Sequence, residues 1–324
     1  MKAVLCKSYG PPDTLVVEDV PAAEAGAGEV VIRVRAASLN FFDALIIENK
    51  YQFKPELPFS PGAEVAGVVS SVGPDVDGIA PGDRVMAYLG WGGAREEVKT
   101  RADAVVRLPD SVSDAAAATL SVTYGTTLHA LKDRADLQPG ETLAVLGAAG
   151  GTGQAAIEIG KVMGARVIAC ASSADKLDFC RSLGADETVN YSEEDLKERL
   201  KALTDGQGVD IVYDPVGGDL SEAALRATGW RGRFLVVGFA AGGIPRIPLN
   251  LVLLKGCELV GVFWGAFIAN EPETHRANME TLVDWCAKGR IRPHIHHSYP
   301  LEETPDALQA IARREVKGKV VITP

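Results

Sequence analysis

The sequence predicts an α/β protein in which a doubly wound parallel sheet is joined to a second, β-rich domain. Three observations carry that prediction. Residues 142–170 run from an apolar strand (Leu143 to Leu146) through a cluster of small residues into a helix pattern (Ala155, Ile159, Val162, Met163), and then into a second apolar run from Val167 to Cys170. From Glu141 onward strand-like and helix-like segments alternate, which implies right-handed βαβ crossovers and a parallel sheet. Before about residue 120 the texture differs, with short strands set off by Pro-Gly turns at 61–62 and 81–82.

Taken in order, Ala3-Val4-Leu5 is the first strand-like run, and no signal-peptide anatomy precedes it. Residues 29–36 alternate Val30, Ile32 and Val34 against Val31, Arg33 and Arg35, as a strand with one buried face should. Residues 62–73 and 83–88 hold further strands. Helical texture opens at Ser113 with residues 114–118, continues as an apolar pattern from Val122 to Lys132, and stops near Pro139-Gly140. Strands are then expected at 142–148, 166–171, 187–191, 209–215, 233–239 and 258–263. Helices are expected between them at 154–163, 174–183, 193–203, 220–227 and 250–254. A helix at 278–288 and a closing strand at 319–322 fall outside that set, so the chain is expected to return to its first domain. The predicted domains are 1–121 with 273–324, and 122–272.

At 324 residues each domain can bury its own core. A hydrophobic content of 47% with 23% charged residues describes an ordinary globular protein. The net charge of −10 argues against a nucleic-acid surface, which would want a basic stripe. No apolar run reaches membrane-spanning length; the longest lies near Leu249 to Leu254. The five cysteines (6, 170, 180, 257, 286) are odd in number and widely spaced, with neither a disulfide framework nor a C-x-x-C pattern, so a reducing cytoplasm is expected.

The glycine turn makes a dinucleotide site the leading functional expectation, because it lies between a strand and a helix inside a βαβ unit. Gly150 lets the backbone approach a pyrophosphate, Gly153 lets the helix pack on the strand, and the helix N-terminus offers unpaired N–H groups and a positive dipole end. The usual first glycine is Ala148, giving A-x-G-x-x-G. Ala148, Gly150, Gly151, Thr152 and Gly153 are the expected contacts. A tight turn in some other α/β protein is the bland alternative, and the flanking strands weigh against it.

His294, His296 and His297 are the only histidine cluster. An exposed strand face, with Ile295 toward the core, is preferred to a metal site, since no carboxylate or cysteine stands at ligand spacing.

Several motifs in shared order carry a resemblance over nearly the whole chain: Asn40-Phe-Phe-Asp43, Pro61-Gly-Ala-Glu-Val-Ala-Gly67, Pro81-Gly-Asp-Arg-Val85, Gly147-Ala-Ala-Gly-Gly-Thr-Gly153, Asn190-Tyr-Ser-Glu-Glu-Asp195 and Gly318-Lys-Val-Val. The chain resembles the medium-chain dehydrogenase/reductase superfamily, in its zinc-free, zeta-crystallin-like quinone oxidoreductase branch. The resemblance implies a GroES-like β domain, a Rossmann domain, a cleft between them, and hydride transfer from NADPH. The zinc enzymes of the superfamily have Cys-His-Thr-Asp where this chain has Asn40-Phe41-Phe42-Asp43, and Gly-His-Glu where it has Gly62-Ala63-Glu64. Phenylalanine and alanine cannot ligate, and no cysteine lies between Cys6 and Cys170, so no catalytic zinc is expected.

For the cofactor, an NAD-preferring fold would end its second strand with Asp or Glu. This strand ends Cys170-Ala171-Ser172-Ser173. Ser172, Ser173 and Lys176 offer hydroxyls and a cation to a 2′-phosphate, with Asp175 read as the partner of an N-cap Ser172 in a capping box. The resemblance adds a serine-x-x-x-lysine clamp and Tyr191 at the end of the third strand, so NADPH is the expected cofactor. It also implies Asn40 and Thr126 near the nicotinamide and its ribose. Val216, Gly217, Phe239, Phe263, Trp264 and Gly265 would lie along the nicotinamide half, with Lys319 closing the far side. Phe239 and Trp264 could equally be core aromatics.

Phe41, Phe42 and Asp43 are expected beside an apolar acceptor pocket suited to a quinone or conjugated carbonyl, though the phenylalanines could equally fill core. Tyr51 stands eight residues after Asp43, the spacing at which related enoyl-thioester reductases carry a functional tyrosine. Its phenol could donate to a substrate gaining negative charge, or simply shape the pocket. Leu45 stands where some bacterial relatives have tyrosine. The expected activity is NADPH-dependent reduction of a small-molecule electron acceptor, a quinone or an α,β-unsaturated carbonyl compound. Asn40 and Tyr51 are the candidate catalytic residues. The alternatives are an enoyl-thioester reductase, with Arg35, Lys50, Lys54 and Arg95 as candidate rim cations, and a non-catalytic, crystallin-like NADPH binder. A homodimer is expected through the edge strand 259–263.

Overall fold

All five residues of Thr142–Leu146 are buried, because this strand lies at the centre of a six-stranded sheet with a partner on each side. The computed structural model describes residues 1–324, which form two units: 1–122 with 279–324, and 123–278. The division falls inside the helix Pro272–Ala287, six residues beyond the expected return at 273.

In the second unit every strand pairing is parallel. The strand order is Glu187–Asn190, Arg166–Ala171, Thr142–Leu146, Val209–Asp214, Thr228–Val236, Glu258–Gly261. That is the doubly wound Rossmann order, with the reversal between the strands starting at Thr142 and Val209. The strands stop short of several expected ends. Thr142–Leu146 ends where Gly147 turns with φ +58°, and the strand expected at 233–239 runs instead over Thr228–Val236, leaving Phe239 in a loop. The last strand ends at Gly261, so Phe263 is the N-cap of the helix Trp264–Asn270. The helix expected from Val122 to Lys132 is a short α-helix, Gly125–Leu128, between wider π-helical turns at Leu120–Tyr124 and His129–Arg134.

The first unit holds a mixed seven-stranded sheet ordered Ile295–Pro300, Lys319–Thr323, Glu29–Leu39, Glu64–Val72, Arg84–Tyr88, Val105–Arg107, with Glu97–Arg101 also pairing to Glu29–Leu39. A separate hairpin joins Lys2–Leu5 to Val16–Asp19. The long strand Glu29–Leu39 departs from simple alternation: Val31 is buried as fully as Val30 and Ile32, so both faces are covered there. Two registers of this strand matter for the site. Val320 pairs with Leu39 and Ser38 with Glu64, so sheet geometry alone draws Lys319 and Glu64 to the start of the helix that follows Asn40. His294, His296 and His297 are exposed, and Ile295 between them is half-buried rather than core.

Candidate active site

In the second unit, the helix Gly151–Val162 starts at N-cap Gly150, which supplies no side-chain cap. The first-turn N–H groups of an α-helix have no partner inside it, so this end suits an anion. Gly153 cannot carry a side chain: a Cβ would lie 2.4 Å from Gly147 O and 2.6 Å from Ala148 Cα. Gly150 has more room, with Gly147 O at 3.4 Å as its nearest neighbour. Ala148 is fully buried. The left-handed turn itself belongs to Gly147, where a Cβ would also meet Val216 Cγ2 at 2.7 Å. Gly147 therefore does the work that the motif reading looked for at Ala148.

Ser172 and Ser173 follow the second strand, half-buried, and Lys176 Nζ reaches Ser172 Oγ at 3.5 Å. The expected capping box does not form. The helix is Ala174–Ser182, so the N-cap is Ser173, whose hydroxyl makes no capping bond, and Ser172 lies outside the helix facing Lys176. Tyr191 is half-buried against the core beneath the third strand.

Beyond the fourth strand, Asp214 organises the loop. Its Oδ1 accepts from the N–H groups of Val216 and Gly217 at 2.8 Å each, and its Oδ2 accepts from Ser221 Oγ at 2.6 Å. The loop is then stitched to residues 240–243: Ala240 N to Pro215 O, Ala241 N to Val216 O, Gly218 N to Gly243 O. Gly217 has φ +72°, and a Cβ there would stand 2.9 Å from the Phe239 ring. Phe239 and Phe263 are exposed. Trp264 is not: at 6% exposure it lies edge-on to His275, 5.5 Å between centroids, so the core alternative holds for it. Gly265 is half-buried at the start of the same helix, and Thr126 is the one residue from 117 to 131 that is not buried.

In the first unit, Asn40, Asp43, Glu64 and Lys319 form one buried polar cluster. Lys319 Nζ donates to Asn40 Oδ1 at 2.5 Å, Glu64 Oε1 at 3.2 Å and Leu39 O at 3.2 Å. Asn40 Nδ2 donates to Glu64 Oε1 at 3.1 Å, and Val122 N donates to Glu64 Oε2 at 2.8 Å. Burial lowers the Lys319 pKa, and the charge of Glu64 opposes that shift. Lys319 is thus held inside this cluster at 3% exposure, whereas the resemblance implies that it closes the far side of the nicotinamide half. Asp43 also departs from expectation. Its oxygens accept from Asn40 N at 2.7 Å and Gly62 N at 2.9 Å, and it is 1% exposed, so it braces the backbone instead of lining a pocket. Burial pushes its carboxyl up to about 7 against the pull of those two donors.

Phe41 and Phe42 are half-buried in the helix Phe41–Ile47. Phe42 stacks on Tyr51, with centroids 5.3 Å apart and planes 20° from parallel, and Phe53 lies beyond Tyr51 at 5.9 Å. Burial raises the Tyr51 pKa, the Asp43 charge adds to that shift, and a hydrogen bond with Gln52 opposes it. The phenol thus stays a donor. Leu45 is half-buried on the same helix. Tyr88, opposite Glu64 in the sheet register, has its pKa raised by burial and then by Tyr51 and the two carboxylates. Sequence reasoning gave no role to Glu64, Tyr88 or Asp214. The available signal was an acid at a strand end, since Glu64 opens Glu64–Val72 and Asp214 closes Val209–Asp214.

A parallel-sheet dinucleotide fold with an anion-ready helix end, and a GroES-like sheet carrying a buried polar cluster, define a two-domain dehydrogenase. Residues 26–110 match the alcohol dehydrogenase GroES-like domain family, and residues 151–288 match the zinc-binding dehydrogenase family. The quinone oxidoreductase-like protein 2 homolog of Nematostella vectensis is 40% identical over 325 residues, covering 99% of this chain and 88% of that protein. The quinone oxidoreductase of Pseudomonas aeruginosa is 34% identical over 324 residues, covering 100% and 99%. The crystal structure of Escherichia coli quinone oxidoreductase complexed with NADPH superposes with a TM-score of 0.92 at 29% identity, covering all of both chains. The chain belongs to the quinone oxidoreductase branch of the medium-chain dehydrogenase/reductase superfamily and is an oxidoreductase.

Proposed function

We propose that this oxidoreductase uses NADPH to reduce quinones or α,β-unsaturated carbonyl compounds, and does so without zinc. The observation that carries the reading is the uncapped helix end at Gly150–Gly153 together with a second strand that is followed by two serines and, in the next helix, a lysine. A pyrophosphate fits the first and a 2′-phosphate the second, since both offer donors and neither offers a carboxylate from the strand end. NADPH supplies the hydride. The loop residues Val216 and Gly217, pinned by Asp214, and the exposed Phe239 and Phe263 would hold the nicotinamide half. Phe42 and Tyr51 offer a flat apolar surface for the acceptor, and the Tyr51 hydroxyl can donate to an oxygen that gains charge as hydride arrives.

Zinc independence is supported by the occupant of the Glu64 neighbourhood. The positions where zinc relatives carry Cys and His are Asn40 and Ala63, and the Lys319 ammonium is already hydrogen-bonded to both Asn40 and Glu64. A divalent cation at Glu64 would sit against that ammonium, so these residues do not fit a zinc centre. NADPH oxidation measured against a quinone panel, an enal panel and crotonyl thioester, before and after exhaustive chelation, tests the whole reading. Turnover with quinones or enals that survives chelation is the expected result. Activity confined to the thioester, or lost with the metal, overturns it.

The sheet edge supports assembly as a homodimer. Glu258–Gly261 pairs on one side only, with Thr228–Val236. Nearby in sequence, Leu249, Leu253 and Leu254 are each more than 70% exposed, and Trp230, at 76%, has its ring against Gly256. Such a free edge with apolar flanks suits a twofold partner offering the same strand. No helix is long and apolar enough to cross a membrane. None of the five cysteines is in a disulfide, which supports a reducing, cytoplasmic location.

A further inference from the structure

We propose that Lys319 and Glu64 are positioning residues that fix the Asn40 carboxamide as a one-way hydrogen-bond donor toward an oxygen of the reaction partner. This rests on the reductase reading above. A carboxamide is ordinarily ambiguous, since a half-turn exchanges its acceptor and donor ends. Here the two ends face opposite charges: Lys319 Nζ lies 2.5 Å from Oδ1, and Glu64 Oε1 lies 3.1 Å from Nδ2. A half-turn would set NH2 against the ammonium and the carbonyl oxygen against the carboxylate. Both contacts would become repulsive inside a buried site, where an unmatched polar group is costly.

The remaining polar atoms of the cluster are committed. The three N–H bonds of Lys319 go to Asn40, Glu64 and Leu39, and the second oxygen of Glu64 takes Val122 N. The backbone N–H of Asn40 goes to Asp43. What is left is the second N–H on Asn40 Nδ2, at a residue that is 6% exposed. A group meeting Asn40 there must therefore accept, as a carbonyl or hydroxyl oxygen does and an amide or ammonium does not. A donor whose direction is set before reaction needs no reorganisation as charge develops on that oxygen. Lys319 and Glu64, buried and hydrogen-bonded within the cluster, act through Asn40.

The test uses the full chain and the paired variant Lys319→Met with Glu64→Gln, which removes both charges together and so leaves no lone buried ion. Three quantities are read: NADPH dissociation constant by fluorescence, kcat with 1,4-benzoquinone, and exchange of the Asn40 side-chain amide protons in 15N-asparagine-labelled protein. The paired variant should bind NADPH within about twofold of the parent and lose roughly tenfold or more in kcat. Asn40→Ala should cost as much in the parent and almost nothing more in the paired variant, the non-additivity expected of coupled residues. In the parent, one Asn40 amide proton should exchange much more slowly than the other, since Glu64 holds it and leaves the second free. Unchanged kcat in the paired variant overturns the proposal, and so does an additive Asn40→Ala. Should the paired variant not fold, the parent's amide protons decide: equal exchange rates overturn the clamp. Should the parent reduce no acceptor, the reductase reading fails by itself, and the amide measurement still decides the clamp.

Discussion

Lys319 and Glu64 are 255 positions apart in the chain, yet their charged atoms lie 3.2 Å from each other with both side chains almost completely buried. Two strand pairings make this contact unavoidable: the closing strand and Glu64–Val72 flank the same end of Glu29–Leu39. Removing one partner of such a pair leaves an uncompensated interior charge, which typically costs ~3–5 kcal/mol. Lys319→Met alone should therefore lower the thermal midpoint sharply, and adding Glu64→Gln should restore most of the loss. Calorimetry on the three proteins checks this; a single variant as stable as the parent contradicts it.

Asp43 gives a pH dependence with a definite sign. Its folded pKa is raised from 3.8 to about 7 by burial. Between those values the native protein keeps a proton that the unfolded chain has released, so this group's contribution to stability falls as pH rises across the window. Asp43→Asn removes the titration, and unfolding free energy measured from pH 4 to 7 should then decline less steeply than in the parent. Identical slopes would remove Asp43 from the account.

The Lys176 ammonium stands beside Ser172 Oγ at the end of the second strand. A charge-assisted contact to a phosphate is typically worth ~1.5–3 kcal/mol, roughly a tenfold to hundredfold effect. Lys176→Ala should raise KM for NADPH by that range and scarcely alter KM for NADH. Ser172→Asp should go further by repelling the phosphate and offering the ribose hydroxyls a carboxylate. Steady-state kinetics with both cofactors check it; equal weakening of both would mean that the lysine contacts something other than the 2′-phosphate.

Tyr51→Phe keeps the ring that stacks on Phe42 and removes only the hydroxyl. Stability should change by no more than ~1 kcal/mol, the net worth of one hydrogen bond, because the ring keeps its packing. Turnover of enones should fall more than turnover of quinones, because quinones accept charge with less help. Equal turnover of both by the variant would leave Tyr51 a wall of the pocket.

The free edge and its apolar flanks predict a dimer that charge can break. Leu253→Lys on the helix Leu249–Lys255 and Leu259→Lys on the edge strand should each shift the sedimentation coefficient toward the monomer at micromolar concentration. A parent that sediments as a monomer removes this assembly.

The alternation of strands and helices after Glu141 was legible because a fully buried parallel strand such as Thr142–Leu146 reads as an unbroken apolar run. Ends were less legible. Thr228–Val236 starts with Thr-Gly-Trp-Arg-Gly, a polar, glycine-bearing stretch whose pairing depends on its neighbours and not on its own pattern. In the site, the Gly150–Gly153 turn and the serine–lysine pair could be read locally, since their residues are close in sequence. The N-cap is Ser173, one residue beyond the expected Ser172, and no capping box forms, a shift too small for composition to resolve. Glu64, Lys319 and Asp43 could not be grouped from sequence at all, because strand register brings them together. Trp264 shows the same limit: only its packing against His275 separates an interior ring from a cleft wall.

The single carboxylate of Asp214 fixes three donors in the seven residues that follow it, before any ligand arrives. A ridge ordered in advance has little backbone freedom left to surrender on binding, so affinity gained there is not offset by the entropy of ordering a loop. The same rigidity narrows the repertoire. A loop that cannot reshape itself accepts only what fits one contour, and any change of that contour would have to begin by loosening Asp214.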